Sequence, residues 1–185
     1  MASSRSSNGF VVRRVRADEW QQVKALRLEA LQDAAAPIAF LETYDGASAE
    51  PGEFWQGRAL RSSEGEKVAQ YVAIDAESGH WLGTATGLRE EPGTDDFDGR
   101  PIERLQVHVV GVWVHPAHRG VGVLEAVLAG VSGWASAQGI ERLRLYVHAD
   151  NLRARATYRR CGFTETGRSF TATIGEEIEM IRAGD

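Results

Sequence analysis

The stretch Val112–Leu128, which reads VWVHPAHRGVGVLEAVL, joins an apolar, strand-like run to an apolar-periodic, helix-like run. Between the two runs lie Arg119 and the closely spaced glycines Gly120 and Gly122. A helix begins with several backbone N–H groups that no carbonyl inside the helix accepts, and its dipole makes that end partly positive. Glycines ahead of the helix leave these N–H groups open to a bulky anion, and the arginine adds a positive charge. The stretch therefore predicts a strand, a diphosphate-binding loop and a helix.

Two widespread phosphate-binding motifs do not explain this loop. A P-loop ends in Gly-Lys followed by Ser or Thr, and the dinucleotide fingerprint has a third glycine. The stretch carries neither feature. We therefore predict a diphosphate site of another type.

Outward from the loop, the pattern of apolar residues predicts alternating strands and helices. The run 104–114 is predicted to be a strand buried on both faces, and the helix after the loop is predicted to end at Gly139. Asp18 is predicted to cap the first helix. The other strands are predicted at 10–15, 67–75, 80–89, 142–148, around Phe170 and at 177–183, and the other helices at 19–34, from about Pro51 and at 151–162. The predicted order is β-α-α-β-β-β-α-β-α-β-β.

The composition limits the possible functions. The chain has 185 residues, of which 43% are hydrophobic and 25% charged, and this predicts one domain with a substantial core. We expect residues 1–9 to form a disordered tail and residues 10–185 to form the domain. The formal net charge of -5 at pH 7 argues against a protein that mainly binds nucleic acid or a membrane surface. Small molecules or basic partners fit this charge better.

Cysteine and histidine usage predicts neither disulfides nor a metal site. Cys161 is the single cysteine, so no intramolecular disulfide can form, and we interpret it as a packing residue. His115 and His118 lie three apart without a third ligand in the sequence nearby, and we interpret them as turn residues. The polar start of the chain lacks the apolar core of a signal peptide, and no later apolar run is long enough to span a bilayer. These features predict a cytoplasmic protein.

Two motifs resemble signatures of a known family. The residues Arg119, Gly120, Val121, Gly122 and Val123, after an apolar strand and a VHP turn, resemble the acyl-CoA pyrophosphate loop of the GNAT superfamily of N-acetyltransferases. The run NLRARATYRRCGF, residues 151–163, resembles that family's second signature at its usual distance. The departure is Leu124, where the family usually has glycine or alanine. This leucine either narrows the anion site or points into the core.

The resemblance implies a single-domain mixed α/β fold. Its central sheet would be mixed but mostly antiparallel, with about seven strands and about four flanking helices. The fourth and fifth strands would splay apart around the pantetheine arm of acetyl-CoA, the implied co-substrate. The residues implied for its binding are Val112, Val114, Arg119, Gly120, Val121, Gly122, Val123, Leu124, Asn151 and Ala154.

In the family that this chain resembles, an amine attacks the thioester directly, without an acyl-enzyme. A primary amine with a pKa of about 10.4 must first lose a proton. His108 is a candidate base, because it lies six residues before Val114, or roughly 20 Å along a strand. Glu103 and a water chain are alternatives. The resemblance implies that Tyr158 protonates the leaving thiolate, and a tyrosine that only packs in the core is the alternative.

The acceptor is less defined by the sequence. We favour a small-molecule amine, because the chain is acidic and its segment 36–60 is irregular. The alternatives are a protein N-terminus or lysine as the acceptor, and a non-catalytic acyl-CoA sensing module. The resemblance also suggests a homodimer that pairs through the last two strands.

Two further groups of residues allow more than one interpretation. We interpret an acidic run in the long connection before residue 104 as a solvated surface, although it could attract a cationic amine. Its members are Glu90, Glu91, Asp95, Asp96 and Asp98. Several aromatic residues could line an acceptor pocket or belong to the core, namely Tyr44, Phe54, Trp55 and Trp81.

Overall fold

The computed structural model describes residues 9–183, so the predicted tail, residues 1–9, lies outside the described residues except for Gly9. The strands are β1 (Phe10–Arg14), β2 (Val68–Asp75), β3 (Trp81–Glu90), β4 (Gln106–Val114), β5 (Leu143–His148), β6 (Thr164–Ala172) and β7 (Gly175–Arg182). The helices are α1 (Trp20–Ala30), α2 (Tyr44–Ala49), α3 (Gly52–Ser63), α4 (Val123–Ser136) and α5 (Leu152–Arg160). No described helix is both long and apolar enough to cross a membrane.

The strands form one sheet in the order β1-β2-β3-β4-β5-β7-β6. Neighbouring strands are antiparallel except for β4 and β5, which are parallel. These two strands pair only through Val107 with Leu143 and His108 with Arg144. Beyond these pairs their remaining residues separate. The mixed, mostly antiparallel sheet with splayed fourth and fifth strands is therefore confirmed.

A bulge in β4 lies at the start of this separation. Thr84 and Thr86 of β3 face Trp113 and Val110, so β4 has one extra residue between the two pairs. Gly111 lies in the bulge with a φ of 59°, in the left-handed region that favours glycine. The bulge therefore redirects the β4 backbone where it leaves β5.

Helix α4 packs on one face of the sheet, and its apolar side fills the main core. Val127, Leu128 and Val131 are fully buried in this cluster. Gly130 lets the helix approach β2 closely, since a Cβ at this position would overlap the ring of Tyr71. The position of α4 fixes the loop before it relative to β4.

Helices α1 and α3 cover β2 on the other face around a second cluster that contains the fully buried Trp55. The prediction that Asp18 caps α1 is wrong. Residues Ala17–Glu19 form a 3-10 turn, and Glu19 accepts a bond of 2.8 Å from the Arg16 N–H and pairs with Arg13. The Glu19 side chain thus bonds back over the turn, and Glu19, the N-cap residue of α1, gives this helix no side-chain cap.

The short helix α2 lies in a segment that the sequence predicted as a loop. Thr43 caps it, because its hydroxyl oxygen accepts a bond of 3.2 Å from the Gly46 N–H. The segment before α2 passes the point where β4 and β5 separate.

Candidate active site

Two cavities meet where β4 and β5 separate. One, here called the loop cleft, has a volume of about 370 Å³ and lies between the end of β4, the loop 119–122 and helix α5. The other, here called the sheet cavity, has a volume of about 600 Å³ and lies on the face of β3 to β7 opposite α4. Ala39 and Phe40 line both, while Gly111 lines the sheet cavity and its neighbour Val112 lines the loop cleft. The bulge in β4 therefore stands between two adjoining cavities.

The loop cleft contains the predicted anion site. Gly120 has a φ of 77° and Gly122 a φ of 90°, backbone conformations that residues with a side chain rarely adopt. Gly122 is the N-cap of α4, and as a glycine it gives the first turn of this helix no side-chain cap. The N–H groups of that turn have no acceptor within the helix, so they are available to an anion. The local chain thus has the geometry of a phosphate-binding loop.

The two residues that begin α4 have different surroundings. Val123 is buried in the core. Leu124 is partly buried against the same core and also lines the loop cleft. The Leu124 side chain therefore packs against the core and also borders the cleft, so its position contains an element of each of the two alternatives, a residue of the core and a residue beside the anion site.

Arg119 pairs with a residue that sequence reasoning missed. Its guanidinium forms an ion pair with Asp33, and its Nε donates a bond of 2.9 Å to the Val114 carbonyl. Burial opposes the ionisation of Asp33, but bonds from the Ala35 N–H, Trp113 and Arg119 outweigh it and lower the pKa of this carboxyl. Arg119 therefore joins the loop, the end of β4 and the segment after α1.

Helix α5 brings the second motif to the same cleft. Asn151 is its N-cap, and the side-chain oxygen accepts a bond of 3.1 Å from the Ala154 N–H. Tyr158 lines the cleft, and its ring meets Phe163 edge to face at 5.9 Å. Burial raises the pKa of Tyr158, so the hydroxyl remains protonated at neutral pH. Among residues 9–183 this hydroxyl has no hydrogen-bond partner. A residue that lines the cleft therefore carries a protonated hydroxyl without an acceptor among the described residues.

Most of the predicted cofactor residues come together in this cleft. Those that line it are Val112, Val114, Arg119, Gly120, Leu124, Asn151, Ala154 and Tyr158. Val121 is half exposed on the loop. His108, the candidate base, lies instead in the sheet cavity.

His108 is buried and held by three neighbours. Its Nδ1 lies 3.4 Å from a carboxylate oxygen of Glu90. Its ring stacks on Phe97 with a centroid distance of 5.7 Å and meets Tyr146 edge to face at 5.4 Å. Glu103, the alternative base, is exposed and lines neither cavity.

An ion-pair network forms the wall beside His108. Arg144, whose side chain is 5% exposed, pairs with three carboxylates, those of Glu90, Asp96 and Glu179. Burial opposes the ionisation of Glu90, but His108 and Arg144 outweigh it and lower its pKa. Burial raises the pKa of Tyr146, which also bonds Arg144 and Asp96.

The network corrects our interpretation of the acidic run. The side chains of Glu90 and Asp96 are buried rather than solvated, because Arg144 of β5 compensates their charge. The aromatic residues named from the sequence, Tyr44, Phe54, Trp55 and Trp81, line neither cavity. Phe54, Trp55 and Trp81 belong to the second core cluster, which was one of the two alternatives. The aromatic lining of the sheet cavity comes from Phe40, Phe97, Tyr146 and Phe170.

Glu177 is a further residue that the sequence did not single out. It lies on β7, is 8% exposed and lines the sheet cavity. Within the described residues its carboxylate has neither a hydrogen bond nor an ion pair. Burial raises the pKa of Glu177, which in turn helps to raise that of Tyr158. The carboxylate therefore lies close enough to act electrostatically on the tyrosine of the other cavity.

Comparisons with known proteins agree with this geometry. The model of the family described as "Acetyltransferase (GNAT) family" matches residues 26–163. An aminoglycoside N(6')-acetyltransferase type 1 of Stenotrophomonas maltophilia is 38% identical over 112 residues, which cover 56% of this chain and 70% of that protein. A mycothiol acetyltransferase of Clavibacter michiganensis subsp. michiganensis is 32% identical over 122 residues, which cover 60% of this chain but only 34% of that protein. Among solved structures, a GNAT-family acetyltransferase from Streptococcus pneumoniae has a TM-score of 0.73 at 16% identity, over 95% of this chain and 99% of that chain, a likeness of fold.

Proposed function

Because the chain belongs to the GNAT acetyltransferase family, we propose that it transfers the acetyl group of acetyl-CoA to the primary amine of a small molecule. The observation that carries this proposal is the meeting of the two cavities at the bulge of β4. One cavity has an anion-binding loop and the protonated Tyr158, and the other has the buried His108. A donor and an acceptor could thus meet from opposite sides.

The loop cleft would hold the co-substrate. The N–H groups of residues 120–124 would bind its pyrophosphate, and the left-handed glycines support this role because they leave no side chain above the loop. The β4 backbone at Val112 and Val114 would pair with the extended arm, since this edge has left β5. Asn151 and Ala154 would border the thioester end, beside Tyr158. Acetyl-CoA, when bound, supplies the activated acetyl group.

Two side chains would move the protons. His108 would accept a proton from the amine, directly or through water, and its Nδ1 contact with Glu90 would leave Nε2 to act as the base. The amine nitrogen would then bond to the acetyl carbon as the bond from that carbon to sulfur breaks, and the nitrogen would release its second proton to solvent water. Tyr158 would donate its proton to the departing sulfur and recover one from solvent. The unpartnered, protonated hydroxyl of Tyr158 supports this assignment.

A small molecule is the favoured acceptor. The sheet cavity is large enough to hold one, with a volume of about 600 Å³. The relative named as an aminoglycoside acetyltransferase supports the same class. A protein N-terminus or lysine, and a sensing module without catalysis, are the competing functions that the experiment must separate.

We also propose a cytoplasmic location, following the single cysteine, and a homodimer that pairs through the hairpin of β6 and β7. Strand β6 is mostly exposed and lies at an edge of the sheet, which supports pairing there. The acidic net charge supports the absence of nucleic-acid and membrane partners. Light scattering after size exclusion tests the dimer.

Thermal melting with acetyl-CoA, followed by thiol release against small amines, tests the function. A ligand at 100 times its Kd stabilises the fold by about 2.7 kcal/mol, so we expect a higher Tm. We then expect thiol release that depends on the amine. Release only with peptide amines would favour a protein acceptor, and a raised Tm without release from any amine would favour the sensor. An unchanged Tm would contradict acetyl-CoA binding.

A further inference from the structure

We infer that the acceptor amine carries one cationic nitrogen on an apolar body of about the size of an aromatic ring. Glu177 would receive the ammonium group and Phe97 would cover the body. The inference rests on the proposed function and narrows its substrate class.

The charges that line the sheet cavity are mostly compensated. Glu42 pairs with Arg27 at 2.7 Å, and Arg144 compensates Glu90 and Asp96 from within the wall. These carboxylates are therefore poor partners for an incoming cation, which would have to compete with a guanidinium that is already in contact.

Two carboxylates of the lining have no cationic partner within residues 9–183, namely Glu177 inside the cavity and Asp95 at its rim. Asp95 is exposed, and water screens a charge pair at such a position so that it contributes little. Glu177 is buried, and this burial raises the pKa of its carboxyl, although the nearby His148 acts in the opposite direction. The cavity thus offers one effective site for a single positive charge.

The rest of the cavity is suited to an apolar body. Leu41 and Phe97 are each 56% exposed, and they lie on different loops that both border the cavity. Phe97 contacts His108, Tyr146 and Phe170, with centroid distances of 5.5 to 5.7 Å. Exposed apolar side chains gathered at the rim of a concave site are typical of ligand contacts.

This lining argues against two other classes of amine. A polyamine would gain one effective ion pair and leave its further ammonium groups against aromatic rings or solvent. An aminoglycoside would place many hydroxyl groups against apolar walls, where they would lose water without new hydrogen bonds. The residues that line the cavity offer neither further carboxylates for the additional ammonium groups nor enough hydrogen-bonding groups for the hydroxyls.

The first test compares amines as substrates of the wild-type enzyme by thiol release. We expect kcat/KM for 2-phenylethylamine to exceed that for ethylamine by about tenfold or more, because burial of the ring adds apolar contact. We also expect 2-phenylethylamine to exceed spermidine and tobramycin. A higher kcat/KM for spermidine or tobramycin would overturn the inference and leave the proposed function intact.

The second test uses matched variants. Phe97→Ala should lower kcat/KM for 2-phenylethylamine by about tenfold more than it lowers kcat/KM for ethylamine, because the lost stacking on His108 affects both amines and the lost contact with the apolar body affects only the larger one. Tyr44→Ala removes an exposed aromatic ring outside both cavities and should change neither value. Equal losses for both amines in Phe97→Ala would contradict a contact with the apolar body.

Glu177→Gln keeps the shape of the side chain but removes its charge. We expect a KM for 2-phenylethylamine about tenfold higher or more, with the Kd of acetyl-CoA unchanged. Glu176→Gln, on the exposed face of the same strand, is the control and should match the wild type. An unchanged KM in Glu177→Gln would overturn the role of this carboxylate.

A failure of the proposed function gives a different result. If no amine releases thiol although acetyl-CoA raises the Tm, the transferase proposal fails. The binding of 2-phenylethylamine and spermidine, measured by calorimetry, then decides the inference by itself. Tighter binding of 2-phenylethylamine that weakens in Glu177→Gln would support it, and tighter binding of spermidine would overturn it.

Discussion

The loop cleft and the sheet cavity are built by different means. The loop cleft presents backbone N–H groups from consecutive residues, in a conformation that Gly120 and Gly122 permit. The sheet cavity presents side chains from strands and loops that are far apart in the chain, held by the ion pairs of Arg144. Backbone recognition depends on a few φ angles, so it tolerates varied neighbours. The wall of the sheet cavity depends on ion pairs that share one residue, Arg144, so a single substitution there affects several side chains of the wall.

Among the substitutions that distinguish the two cavities, loss of Arg144 should have the largest effect, and this effect is on the stability of the sheet cavity. Arg144→Met leaves three buried carboxylates without their cation, and we expect the free energy of unfolding to fall by about 3–5 kcal/mol. Denaturant unfolding measures this. Arg159→Met removes an exposed ion pair with Glu165 and should change the free energy by less than about 1 kcal/mol. Similar losses in both variants would mean that the network does not stabilise the wall.

Removal of the Tyr158 hydroxyl should affect turnover without affecting either cavity's shape. We expect Tyr158→Phe to lower kcat by about 100-fold, because proton transfer to the leaving sulfur is lost. The Kd of acetyl-CoA should remain nearly unchanged, as calorimetry can show. An unchanged kcat would exclude the acid role. A higher Kd of acetyl-CoA in this variant would indicate that Tyr158 has a binding role instead.

A side chain at Gly122 should disturb the loop cleft alone. Valine at a left-handed position costs about 1–2 kcal/mol and displaces the N–H groups of the loop, so we expect acetyl-CoA affinity to fall by about tenfold. Gly139→Val is a matched control, since Gly139 also has a left-handed φ, of 72°, but follows the opposite end of α4. It should lose stability but keep its affinity for acetyl-CoA. Equal affinity in Gly122→Val would contradict the anion site.

Acid should affect the sheet cavity through Asp96. Burial opposes its ionisation, but the Arg100 N–H and Arg144 outweigh this and lower the pKa of the folded state. The stabilisation is therefore present above the ordinary pKa of an aspartate and is lost as pH falls through the lower, folded value. We expect stability to fall more steeply with acid in the wild type than in Asp96→Asn. The exposed Asp18→Asn should retain the wild-type slope, and identical slopes in all three would contradict the linkage.

The two cavities also differ in how much the sequence revealed. The strand, loop and helix around residue 119 could be predicted because their signals are local: an apolar run, two glycines and a helical period. The partners of the sheet cavity could not, because Arg144 lies 48 residues from Asp96 and 54 from Glu90. Asp33 lies 86 residues from Arg119. The topology of the sheet brings together charges that are so far apart in the chain. The spacing of these residues in the sequence therefore does not predict which of them pair.

The aromatic lining of the sheet cavity was missed for the same reason. Trp55 and Phe97 are both aromatic residues in segments without clear periodicity, yet Trp55 is fully buried and Phe97 is 56% exposed beside His108. Whether an aromatic ring belongs to the core or to a site depends on the packing of α3 and on the course of the loop before β4. Glu177 was missed because its strand alternates like any other, and only burial without a partner distinguishes it.

The brief pairing of β4 with β5 has a consequence for solubility. A strand that ends its pairing early normally offers unsatisfied peptide groups to any passing chain, and this is a route to aggregation. Here the two unpaired edges face each other inside the molecule, between the loop cleft and the sheet cavity. The peptide groups of β4 could therefore pair with an extended ligand, while the surrounding parts of the molecule keep strands of other protein molecules away from them.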